Sequence, residues 1–252
     1  MSCPFHMKGR NVLVTGASSG IGRATARVLA DLGASVTLAG RDVPRLTMAR
    51  DELAGSGHAI EVFDLLDGDA IPGWVRSLAE RHGPFSGLAH CAGIQSLTPL
   101  RVMSVAKLEE MYRANTVTGA MLLRGFQQAG CHLAPASAVF ASSTAAILAV
   151  PANSAYGASK AALLSLVRSF AIELAPKQIR VNAVVPALVE TEMVQRMRAS
   201  MTPNLFQATV DRHPLGIGEP VDVANAIAFL LSEASKWITG TSIVLDGGLS
   251  AL

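Results

Sequence analysis

TGASSGIG, residues 15–22, stands between the apolar run NVLVT at 11–15 and a segment whose Ile21, Thr25, Val28, Leu29 and Leu32 recur at helical spacing before Gly33. A short strand handing over to an amphipathic helix through a glycine-rich turn is the opening of a βαβ crossover. Gly16, Gly20 and Gly22 permit backbone angles closed to other residues and let a bulky anion come close to the main chain. The helix N-terminus adds unpaired N–H groups and a partial positive charge. The turn, with Ser18, Ser19 and Ile21 inside it, therefore reads as a seat for a dinucleotide pyrophosphate. Its GxxxGxG spacing departs from the general GxGxxG fingerprint. The competing reading is a plain glycine turn with Ser18 or Ser19 as helix cap.

Beyond this unit, short runs rich in Val, Ile and Ala alternate with longer helical patterns. Strands are expected at 11–15, 35–39, 59–63, 87–91, 138–142, 180–185 and 242–245. Further helices are expected at 43–54, 70–82, 104–129, 153–175, 190–201 and 221–232. Such alternation predicts right-handed crossovers feeding a parallel sheet, hence a three-layer, doubly wound α/β fold with seven parallel strands. The 252 residues are expected to form one domain, because α/β chains of this length keep a continuous sheet and no linker, repeat or low-complexity tract breaks the series. Hydrophobic residues make up 50% and charged ones 16%, the balance that strands buried on both faces require.

The formal charge of +2 and the lack of any long run of like charges argue against a nucleic-acid or membrane-surface partner. Residues 125–159 carry no Asp, Glu, Lys or Arg, but Gln127, Gln128, His132, Pro135 and Pro151 break them too often for a membrane span. Cys3, Cys91 and Cys131 are odd in number and lack metal-ligand spacing, so neither a disulfide framework nor a bound metal is expected. The start of the chain lacks the pattern of a signal peptide, and with reduced thiols this points to a cytoplasmic setting.

Tyr156 and Lys160 are four residues apart at the start of a helical segment, so their side chains leave one face a turn apart. A phenol titrates near ~10, and a neighbouring ammonium favours its phenolate, which moves it toward proton transfer. Taken alone, YxxxK equally describes a surface pair on an amphipathic helix. At the end of the second strand, VTLAG is followed by Arg41 rather than by a carboxylate that would accept from ribose hydroxyls. A guanidinium there suits an added 2′-phosphate, so NADP(H) is favoured over NAD(H); a solvent-facing loop arginine is the alternative, and the adjoining Asp42 would blunt the effect.

TGASSGIG, Asp64 after the third strand, Ala92-Gly93 after the fourth, Asn115, Ser143, YGASK at 156–160, RVNAVVP at 180–186 and TGTSIVLDGG at 239–248 occur in one order along nearly the whole chain. In this the chain resembles the short-chain dehydrogenase/reductase family. The resemblance implies a Rossmann fold and an NAD(P)-dependent oxidoreductase that moves hydride between nicotinamide and a ketone or secondary alcohol. It implies Tyr156 as proton donor and acceptor, Lys160 lowering the tyrosine pKa and binding the ribose, Ser143 steadying the substrate oxygen and Asn115 supporting a water relay with the lysine. Ser142 is the rival of Ser143, chosen against only because the interval to Tyr156 matches the family. Asp64 and Leu65 are implied to hold the adenine, with helix capping as the other use of Asp64.

The chain departs from the family at two places. His90-Cys91 stands where Asn-Asn is usual before Ala92-Gly93, and Pro186-Ala187 where Pro-Gly is usual. Beyond Pro186 a lid is expected over the nicotinamide. Val189, Met193, Met197 and Met201 form a stripe there, read first as the lid's own packing surface and second as an adaptable contact for an apolar ligand. The substrate is expected to be a small free ketone, alcohol or sugar derivative, with 3-oxoacyl-carrier-protein reduction as the alternative, because few basic residues are placed to dock an acidic carrier. A non-catalytic NADP-binding regulator is the reading of another class. The resemblance also implies a homotetramer or homodimer built on the helices at 104–129 and 153–175.

Overall fold

The computed structural model describes residues 3–251. Seven parallel strands, β1 (Asn11–Thr15), β2 (Ser35–Gly40), β3 (Ala59–Val62), β4 (Phe85–His90), β5 (His132–Ala141), β6 (Ile179–Pro186) and β7 (Ser242–Leu245), form one sheet in the order β3-β2-β1-β4-β5-β6-β7. The chain winds from β1 through β2 to β3, then returns to lay β4 on the other side of β1. That reversal opens a crevice at the C-terminal ends of β1 and β4, where doubly wound sheets take their ligands.

Helices cover both faces. On one side lie α1 (Gly20–Asp31), α2 (Val43–Asp51) and α9 (Pro220–Leu231); on the other lie α3 (Ile71–His82), α4 (Val105–Tyr112), α5 (Thr118–Phe126) and α6 (Ser154–Leu174). Alternation along β1 explains why its sequence is apolar throughout. Leu13 points into the core with Phe85, Leu88, Phe126, Phe140 and Leu163, while Val12 and Val14 enter the opposite core with Leu29, Leu38, Ile227 and Leu231. A lid of α7 (Glu192–Ala199) and α8 (Pro203–Val210) follows β6.

Three elements differ from the sequence expectation. The helix expected at 104–129 is interrupted by a π-helical turn, Arg113–Val117, and ends at Phe126. Strand β5 begins at His132 rather than 138, with exposed Leu133 and Pro135 in its first half masking the strand pattern. The helix expected at 190–201 is α7, and a second lid helix, α8, follows where none was expected: Thr202 accepts from the Leu205 amide and Pro203 occupies the first turn, a start signal that lies beyond residue 201. Asp42 likewise caps α2 by accepting from the Arg45 amide at 3.1 Å.

His90 ties these layers together. Across the sheet Thr15, His90 and Phe140 stand in register. The His90 ring is buried, with Nδ1 2.7 Å from Thr15 Oγ1 and Nε2 3.4 Å from Thr118 Oγ1. Thr118 already donates to the Ala114 carbonyl at 2.8 Å, so its oxygen accepts from Nε2–H and leaves Nδ1 to accept from Thr15. A methyl on Gly119 would meet the Leu163 side chain at 3.2 Å and the ring at 3.3 Å, so the glycine lets the imidazole pack closely against α5. Burial, helped by the Lys160 charge, pushes the His90 pKa down to about 3. As pH falls below the ordinary value of 6.5 the unfolded chain therefore takes up a proton that the folded ring refuses, so stability present above 6.5 is lost toward 3. We expect His90→Gln to flatten the fall in melting temperature over that interval, measured by calorimetry across pH.

Candidate active site

The glycine turn is closed by its own packing. Gly16 and Gly20 have φ of +69° and +48°. A Cβ on Gly16 would lie 2.7 Å from the Ala92 amide nitrogen, and one on Gly22 would lie 2.2 Å from the Gly16 carbonyl oxygen. The turn after β1 is thus pressed against the turn after β4. Ser19 takes the N-cap position of α1, but its hydroxyl makes no cap bond, so the capping reading of that residue does not hold. The first amides of α1 are left facing the crevice mouth without a side-chain partner, an arrangement that suits a phosphate.

At the next strand end, Gly93 makes room for two side chains. A methyl there would meet Asn115 Oδ1 at 2.9 Å and Lys160 Nζ at 3.2 Å. Asn115 sits in the π-helical turn, fully buried, and clips the backbone of Ile94 twice: Oδ1 accepts from the amide at 2.9 Å and Nδ2 donates to the carbonyl at 3.0 Å. Nδ2 also lies 3.0 Å from Ser159 Oγ. The amide group is wholly engaged in holding the β4 turn against α6, and the π turn is what aims it there.

Ser143, Tyr156 and Lys160 gather at the floor of a cavity of about 290 Å³ whose walls include Ile21, Cys91 and Gly93. Ser142 Oγ donates to the Lys160 carbonyl at 3.0 Å and is buried, so it works as a brace on α6. Ser143 instead accepts from the Ala145 amide at 3.2 Å, which leaves its O–H free to donate into the cavity. Lys160 Nζ donates to the Ala141 carbonyl at 2.8 Å and stands 5.9 Å from the centre of the Tyr156 ring. Burial pushes the lysine down to about 8. It pushes the Tyr156 phenol above its ordinary value, with the neighbouring Ser143 hydroxyl offsetting part of the rise. In the protein by itself burial therefore outweighs the acidifying effect expected of the ammonium.

The other expected contacts are more spread out. Arg41 is exposed and its Nη1 is 3.8 Å from Asp64 Oδ2, a long and solvated pair. Asp64 caps no helix; its Oδ1 accepts from the Leu66 amide at 3.1 Å in a local turn. Leu65 packs against the core beneath. Above the crevice, Glu192 at the start of α7 forms an ion pair with Arg45 of α2, and Thr191 closes on Gly20, where a Cβ would come within 3.1 Å of its methyl. Val189, Met193, Met197 and Met201 all line the cavity, so the stripe faces the site rather than serving only the lid's own packing. Cys91, one of the departures from the family pattern, also lines it, as do Gln95, Leu148, Asn153 and His213, which were not singled out by sequence. Burial pushes the Cys91 thiol up to about 12.

Comparison with known proteins places this geometry. A family model described as enoyl-(acyl carrier protein) reductase matches residues 16–250. The chain is 35% identical to a glucose 1-dehydrogenase of Gluconobacter oxydans, over 99% of this chain and 96% of the relative. It is 36% identical to a galactitol 2-dehydrogenase (L-tagatose-forming) of Cereibacter sphaeroides, over 97% and 96%. Its structure is similar to that of a short-chain type dehydrogenase/reductase from Mycobacterium marinum, with a TM-score of 0.88 at 29% identity over 99% and 98% of the two chains.

Because the Gly22 α-carbon lies against the Gly16 carbonyl, Gly22→Ala should open the turn. Overpacking of this kind costs roughly 1–3 kcal/mol. We expect a lower melting temperature and weaker binding of reduced nicotinamide dinucleotide, NADH or NADPH, by fluorescence titration, the two falling together.

Proposed function

This chain belongs to the short-chain dehydrogenase/reductase family, and on that premise we propose that it uses NADP(H) to interconvert a small free ketone and its secondary alcohol, with Tyr156 as general acid and base. It is an NAD(P)-dependent oxidoreductase acting on CH–OH groups. The observation that carries the finer reading is that the Tyr156 and Ser143 hydroxyls share one cavity with the end of the glycine turn, while Lys160 lies behind them.

Bound nicotinamide supplies the hydride acceptor or donor. The uncapped start of α1, Arg41, Asp64 and the Ala92-Gly93 turn are the groups that would hold the dinucleotide. In reduction, Tyr156 enters protonated, since burial holds its proton on, and gives it to the carbonyl oxygen as negative charge develops. Ser143 donates its free O–H to the same oxygen, stabilising that charge in a site with little water to compete. Lys160, only weakly held as an ammonium, stands 5.9 Å from the ring centre, where its charge favours the phenolate that the transfer leaves behind. Oxidation runs these steps in reverse.

Preference for NADP(H) is supported by the end of β2. Gly40 offers no carboxylate, Asp42 is taken up in capping α2, and Arg41 is held so loosely that it can turn to a phosphate. A small free substrate is supported by the size of the cavity under the lid and by the names of the two relatives, although the family model's description refers to carrier-bound chains. Apolar side chains left exposed around α4 and α6, among them Leu100, Val105 and Ile172, support a homotetramer or homodimer.

Tyr156→Phe should bind NADPH as the wild type does and lose turnover by about 10²–10⁴-fold, the usual worth of a positioned proton donor; retained turnover would remove its assigned role. The reductive kcat/KM should be level toward neutral pH and fall past about 8, where Lys160 gives up its proton. Arg41→Ala should lower kcat/KM with NADPH while sparing NADH, and a wild type that works better with NADH would overturn the cofactor assignment.

A further inference from the structure

Among the described residues, two buried side-chain atoms lack any hydrogen-bond partner: Asn153 Oδ1 and His213 Nε2. Both residues line the cavity that holds Ser143 and Tyr156. An unpartnered buried polar atom is costly to stability and uncommon in native proteins, so two in one cavity call for a ligand.

Asn153 precedes α6 at the N-cap position, where asparagine ordinarily accepts from the helix amides, yet its side chain makes no such bond. It is 7% exposed and lies three residues, hence about one helical turn, before Tyr156. His213, 6% exposed, comes from the segment that follows α8. Its Nδ1 is 3.0 Å from the Thr209 carbonyl. A carbonyl only accepts, so Nδ1 carries the hydrogen, and in the neutral ring Nε2 is a free acceptor. Two acceptors on cavity-lining residues are therefore left unpaired, one from the same helix end as the phenol and one from the segment after α8, with Leu148, Met197 and Met201 among the apolar lining.

We propose that Asn153 and His213 hold hydroxyl groups that the substrate carries beyond its reacting carbon, so that the substrate is a polyhydroxylated ketone or the polyol related to it. A hydroxyl donates one hydrogen and so satisfies either atom. A hydrocarbon ketone or a thioester-linked acyl chain in the same place would leave both unpaired, and sites built to hydrogen-bond a hydroxyl discriminate strongly against analogues without it. This assignment rests on reading Tyr156 and Ser143 as the reacting pair in that cavity.

The test reads binding rather than turnover. Four- to six-carbon polyols and the 2-alkanols of the same chain lengths are titrated calorimetrically into the protein complexed with NADPH, with which an alcohol has no hydride acceptor and cannot react. The tightest polyol should bind at least about tenfold more tightly than the tightest 2-alkanol. Asn153→Leu and His213→Phe should each shrink that ratio, and Asn153→Leu, which discards an unpaired atom and no hydrogen bond, should melt no lower than the wild type. Tyr156→Phe should keep the ratio while losing turnover, so failure of the proton-transfer role and failure of this assignment give different results. If 2-alkanols bind the wild type as tightly as polyols, or if both variants keep the wild-type ratio, the assignment is overturned; the wild-type ratio alone decides should a variant not fold.

Discussion

The close approach of two turns, the one after β1 and the one after β4, is the constraint on which the site depends. Gly16 sits so near the Ala92 amide that no side chain fits between them, and Gly93 lets Asn115 and Lys160 reach the same point from the π-helical turn and α6 respectively. Each contact is short because glycine stands at it, and each brings a different element to one place. With β1 and β4 adjacent and in register, the N-terminus of α1, the lysine and the phenol converge on one crevice.

Around that point buried polar groups are paired with unusual completeness, and the exceptions become informative. Asn115 satisfies the Ile94 backbone in both directions, Ser142 braces α6, and His90 links Thr15 to Thr118. These bonds are made in a poorly solvated interior where an unpaired group is expensive, so they fix the relative positions of β4, α5 and α6 more firmly than apolar packing alone. Against such a background, Ser143, Asn153 and His213 stand out as cavity-lining residues that still have unused bonding capacity.

The lid is coupled to the dinucleotide side of the crevice by a charged pair and by shape. Arg45 and Glu192 join α2 to α7, each partner shifting the other's pKa toward the charged form through their hydrogen bond, and Thr191 rests on Gly20. The methionines of α7 then face the cavity on a segment that meets the rest of the fold through few polar ties. Their unbranched side chains let this wall adapt to what lies beneath it, while Ser143 and Tyr156 sit on the more rigid floor.

The amino-acid sequence by itself determined the layering, because strands buried on both faces must read as short apolar runs and crossover helices as amphipathic ones; NVLVT and the segment from Ile21 to Leu32 are enough to show it. It determined the glycine turn and the Tyr156–Lys160 pair for the same reason, since both are local patterns whose geometry follows from helix periodicity and backbone freedom. Only the tertiary structure showed what lies opposite Ser142 and Ser143: the first is tied to the Lys160 carbonyl and the second accepts from the Ala145 amide, a difference of surroundings and not of chemistry. It also decided that Asn115 belongs to a π-helical turn, that the methionine stripe faces the cavity and that burial dominates the tyrosine. Asn153 and His213 were illegible for a like reason: an unpaired atom is defined by the partners it lacks, and those come from residues far away along the chain.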